Sequence, residues 1–183
     1  MFYAVDLNRL RSIPGSNDTA LLESILANEE NSLDDDEQDA LKRIITGDIK
    51  EEANTEYLYG YALKAICEHI GEMVGGEVAA VRDHPYKSKL VANGSPIQIP
   101  ISRSDFPEIG YLDRSELEAE HRLATTTKPK AKRTLIGFVL RKATGGVVGR
   151  ELDAEDIAED MEEYAETLQE CIDKDLSVIS FRH

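Results

Sequence analysis

The sequence predicts an α+β fold: a small, mostly antiparallel or mixed sheet packed with several helices, including a long acidic helix near the C-terminal end. Three observations predict it. Short apolar stretches of strand length, Phe2 to Leu7 and Leu176 to Phe181, stand near the two ends. Between them apolar residues step by three and four, most clearly from Asp153 to about Lys174. The resulting order is strand, several helices, short strands, helix, strand, helix, strand, which lacks the regular alternation of a βαβ protein. The chain of 183 residues suits one α+β domain spanning 1–183, with a mobile basic loop near 125–134.

The elements follow in order. Residues Phe2 to Leu7 alternate as a strand with Tyr3, Val5 and Leu7 on one side. After Pro14-Gly15, Ser16 or Asp18 caps a helix carrying Leu21, Leu22, Ile25 and Leu26. Seven carboxylates from Glu29 to Asp39, with no base among them, read as a solvated run that supplies helix caps. A short amphipathic helix with Leu41, Ile44 and Ile45 comes next and is stopped by Gly47.

YLYGYALKAICEHIGEMVGG, from Tyr57 to Gly76, is read as one core helix capped by Asn54 or Thr55 and ended by Gly75-Gly76. At about 100° per residue, Leu58, Ala62, Ala65, Ile66, His69 and Met73 share one face. Gly60, Lys64, Cys67 and Gly71 fall opposite, so the histidine is expected to look inward and the cysteine outward.

Short strands are expected at 77–82 and 89–92, and PIQIPI (Pro96 to Ile101) reads as an edge strand because its two prolines lack a donor. Arg103 to Leu112 reads as a loop folded back on the core. Asp113 and Glu116 form a D-x-x-E variant of the capping box, opening a helix through Leu123. TTTKPKAKRT (Thr125 to Thr134) is the basic loop, Leu135 to Leu140 a strand, and Gly145-Gly146 a turn before the long helix.

A formal net charge of −15 repels a polyphosphate backbone and favours basic partners, which argues against nucleic acid. No run of eighteen apolar residues spans a membrane, and the N-terminus lacks a secretory pattern. Two distant cysteines, Cys67 and Cys171, indicate neither a disulfide framework nor a thiolate zinc site, so a reducing cytoplasm is the expected compartment. Asp34-Asp35-Asp36-Glu37 lacks the alternating ligands and glycine of a calcium loop, and no histidine pair has zinc spacing, so no metal site is expected. No cofactor is implied, and the oligomeric state is open.

His69 has the side chain best suited to general-base work, but no matching Ser or Cys motif accompanies it. It reads first as a hydrogen-bonded core imidazole. The alternative is a small-molecule pocket or enzyme site built from Tyr59, Tyr61, His69, Arg103, Asp105 and Tyr111. The long helix carries nine carboxylates from Asp153 to Glu170 and no base. Glu155, Glu159, Asp160, Glu162, Glu163 and Glu166 would then be either a solvated face or a docking surface for a basic protein.

YAVDL (Tyr3 to Leu7), YGYAL with its following C-E-H (Tyr59 to Leu63, Cys67 to His69) and DFPEIGYL (Asp105 to Leu112) together resemble a family of uncharacterised bacterial proteins, a domain of unknown function. The ends also resemble the YfbM-like proteins, through the first strand, Met161, Glu166 to Lys174 and Leu176 to Phe181, with Asp175 where a glycine is usual. The resemblance implies the fold class and a bacterial cytoplasm, and no catalytic residue. The leading expectation is a non-catalytic acidic protein that binds a basic protein partner, as immunity or antitoxin proteins do. An acidic protein without any charge-specific partner is the remaining alternative.

Overall fold

The computed structural model describes residues 1–28, 33–52, 55–75, 90, 94–101, 107–126 and 154–182, with backbone alone over 154–160. The first strand, β1 (Phe2–Val5), is shorter than its alternation suggested. Asp6 ends it. Its carboxylate accepts from the backbone N–H of Asn8 at 2.8 Å and of Arg9 at 3.2 Å, so Leu7 opens a helix, α1 (Leu7–Arg11), instead of continuing the strand.

Asp18 caps α2 (Thr19–Leu26) by accepting from Leu21 N–H at 2.9 Å. The acidic run supplies the next start: Asp34 and Glu37 form a reciprocal capping box on α3 (Asp35–Thr46). Gly47 closes that helix in the left-handed conformation, φ 77°. The Pro14–Asn17 turn completes the closure, because Gly15 N–H and Asn17 N–H donate to the carbonyls of Ile44 and Ile45 at 3.0 and 2.9 Å. Ile44 O also accepts from the cap, Gly47 N–H, at 3.2 Å, so the α1–α2 turn shares in closing the end of α3 and the two are one unit.

The helix α4 (Glu56–Ile70) stops at Gly71, five residues before Gly76 where the sequence reading ended it, and Glu72–Val74 form a strand, β2. Thr55 occupies the cap position without a side-chain cap bond. PIQIPI is not a strand. Its isoleucines nonetheless reach the core, Ile97 buried and Ile99 and Ile101 half-buried against it. The strand lies further on, at β3 (Glu108–Leu112), inside the stretch expected to be a loop.

Asp113 and Glu116 then open α5 (Arg114–Thr126) as expected, Glu116 accepting from Asp113 N–H at 3.2 Å. The long helix α6 (Ala154–Asp173) leads into β4 (Ser177–Arg182). Asp175 stands in the left-handed conformation, φ 55°. Leu176 N–H reaches back to Cys171 O at 3.0 Å and Asp175 N–H to Ile172 O at 3.1 Å, the bond pair that normally recruits glycine. The strands expected at 77–82 and 135–140, most of that at 89–92, the loop beyond Thr126, the Gly145-Gly146 turn and Asp153 lie outside the described residues.

Among the described residues there are six helices and one sheet of four strands in the order β2-β1-β4-β3, every neighbouring pair antiparallel. The fold is therefore α+β. The sheet is covered on both sides, which is why all four residues of β1 are buried. Tyr3, Val5, Ile109, Ile179 and Phe181 join one core cluster with residues of α1 to α4. Phe2, Ala4, Leu112 and Val178 join a second with Leu117, Tyr164, Leu168 and Cys171 of α5 and α6. Successive strand residues point to opposite faces, so each strand feeds both cores in turn.

Candidate functional site

The contact between α4 and the sheet governs the site, and it buries more of the helix than the sequence reading allowed: Ala62, Ala65 and Ile66 are buried as expected, and so is part of the side expected to face outward. Cys67, expected to look outward, is fully buried, whereas His69, in the last turn of α4, is half-buried. Met73, expected on the inward helical face, stands 66% exposed on β2.

Steric clearance explains the burial of that second side. A Cβ on Gly60 would sit 2.8 Å from Pro107 Cδ, and one on Gly71 would sit 2.5 Å from Val5 Cγ1 and 2.7 Å from Ala4 O. The face of small residues, Gly60, Cys67 and Gly71, is thus the one that meets the sheet and its flanking loop. Tyr59, Ala62, Leu63 and Ile66 of the same helix are also buried, so α4 is covered over a wide arc.

Lys64 and Glu68 share that side one and two turns along, and there the helix meets β1 with polar groups. Tyr3 OH donates to Glu68 Oε1 at 2.7 Å, and Lys64 Nζ donates to the same oxygen at 2.6 Å. Tyr3 is almost wholly buried and packs edge-on against Phe181, ring centroids 5.9 Å apart. Burial, and then the hydrogen bond to Glu68, push the Tyr3 hydroxyl well above its ordinary range. Burial, and then the Glu68 charge, do the same to the Cys67 thiol.

The chemical meaning is conservative. Tyr3 keeps its proton at neutral pH and acts as a donor, not a base. Cys67 stays a thiol and is no nucleophile. Sequence reasoning passed over this trio because Tyr3 and Glu68 are 65 positions apart. The one local sign was the Lys64–Glu68 spacing of a helical ion pair.

The other candidates have separate local roles. Tyr59 is buried, and its hydroxyl accepts from Lys50 N–H at 3.0 Å and donates to Lys50 O at 3.1 Å, fastening the α3–α4 connection. Tyr61 is half-buried and meets the exposed ring of Tyr57 in a T-shaped contact at 6.4 Å. Tyr111, on β3 opposite Ile179, packs against the α1–α4 core. Arg103 and Asp105 lie outside the described residues.

On α6, Glu162 and Glu166 are exposed and Glu163 is half-buried. Tyr164, Ala165, Leu168 and Cys171 form the buried side, with Tyr164 OH donating to the buried Glu120 of α5 at 3.0 Å. Cys171 is raised to about 12, chiefly by burial and next by the neighbouring Glu170. The side chains of Glu155, Glu159 and Asp160 lie outside the described residues. Among the described residues no three His, Cys, Asp or Glu gather into a group that could hold a metal ion, and no helix is long and apolar enough to cross a membrane.

An antiparallel sheet between two helical layers, with the described tyrosines and both cysteines engaged in packing or hydrogen bonding, defines an α+β protein. The chain belongs to the family described as a domain of unknown function, DUF7691, whose family model matches residues 1–183. No curated protein and no solved structure matches it.

Proposed function

We propose that this is a non-catalytic acidic interaction protein that binds a basic protein partner, in the manner of an immunity protein or antitoxin. The observation that carries the reading is electrostatic: a net charge of −15, with Asp35 and Asp36 of α3 and Glu162 and Glu166 of α6 among the exposed side chains. Among the described residues, several basic side chains are already engaged with carboxylates: Arg11 with Asp113, Arg43 with Asp39 and Glu52, Arg114 with Asp175 and Lys174 with Glu72 and Glu170. Such an imbalance steers cationic partners and speeds their association. The buried state of Tyr3, Tyr59, Cys67 and Cys171 supports a binding role over a catalytic one.

The test is co-purification from the native host at low and raised salt, in parallel with a Glu162→Gln/Glu166→Gln variant. A basic protein is expected at low salt, with recovery that falls as salt rises and is weaker for the variant. Empty eluates at low salt, or recovery indifferent to both salt and variant, would refute the proposal.

A further inference from the structure

We draw no further inference here: the strongest candidate, the corner of the sheet where Met1 and Met73 stand exposed beside the short edge strand β2, is an apolar surface and nothing in the structure shows what covers it.

Discussion

Replacing Gly71 by alanine separates two accounts of why a glycine ends α4. Its φ of −113° is open to any residue, so conformational freedom alone predicts a gain of about 0.4–1 kcal/mol from a stiffer unfolded chain. Clearance predicts the opposite sign. The new methyl would lie 2.5 Å from Val5 Cγ1, 2.7 Å from Ala4 O and 2.8 Å from Cys67 O. Carbon atoms in contact settle at about 3.5–4.0 Å, so the helix end would have to withdraw from β1 by roughly 1 Å.

Two of the three obstructing atoms are backbone carbonyl oxygens and cannot rotate away. Overpacking of this kind costs about 1–3 kcal/mol, leaving a net loss of about 1 kcal/mol after the entropic gain. For a chain of this length that lowers Tm by roughly 2–4 °C. Urea unfolding followed by far-UV circular dichroism should show an earlier midpoint at unchanged slope. A variant as stable as the parent, or more stable, would refute the close approach. Gly60→Ala should be milder, because a mid-helix alanine recovers about 1 kcal/mol of propensity against the clash with Pro107.

Three further outcomes are expected. Tyr3, Cys67 and Cys171 all have raised values in the folded protein, so the stability they contribute is full below their unfolded values and is lost as pH rises through the folded ones. Above about pH 9 stability should fall by about 1.4 kcal/mol per pH unit for each group that has ionised only in the unfolded chain; chemical denaturation from pH 8 to 10.5 should flatten in a Cys67→Ala/Cys171→Ala variant, and an unaltered slope would count against the burial argument. Tyr59→Phe strips both bonds from the Lys50 backbone and should cost about 1–2 kcal/mol in the same assay, a neutral result showing that water replaces them. Asp175→Gly should raise stability by about 0.5–1 kcal/mol by relieving the left-handed strain, less whatever the Arg114 contact contributes; a loss would mean that the ion pair outweighs the strain.

Local chemistry was legible in the sequence and close packing was not. Asp18, Gly47 and the Asp113–Glu116 pair mark helix ends because a cap depends on residues within one turn. The buried spacing of Met161, Tyr164, Ala165, Leu168 and Cys171 was visible for the same reason. The apolar face of α4 with Ala62, Ala65 and Ile66 was read correctly, but its sheet-facing side was missed because it is built from two glycines, a cysteine and a lysine, residues that carry no strong apolar signal. What places them inward is the clearance they offer Val5 and Pro107, and that requires knowing which strand lies opposite.

PIQIPI and EIGYL were exchanged for a related reason. Alternating isoleucines satisfy the strand pattern, but Pro96 and Pro100 cannot donate to a ladder. Glu108 to Leu112 has one glycine inside it and looks like a turn. That glycine is needed because the backbone of Leu90 crosses directly above Gly110, where Ser180 Oγ donates to both carbonyls. As for the site, its tyrosines, cysteine and histidine were visible as residue types, whereas the Tyr3–Glu68 bond joins distant segments and no window of sequence contains it.

The pairing of β1 with β4 has a kinetic consequence. Phe2 lies opposite Ser180, so β1 waits for a partner far along the chain, and the two occupy the centre of the described sheet. A growing chain can assemble the α1–α4 layer early, but β1 and β3 have no common neighbour until β4 emerges. Closure over such a sequence separation makes folding slow for the chain's size, and a nascent chain arrested short of residue 177 would present unpaired apolar strands to its neighbours.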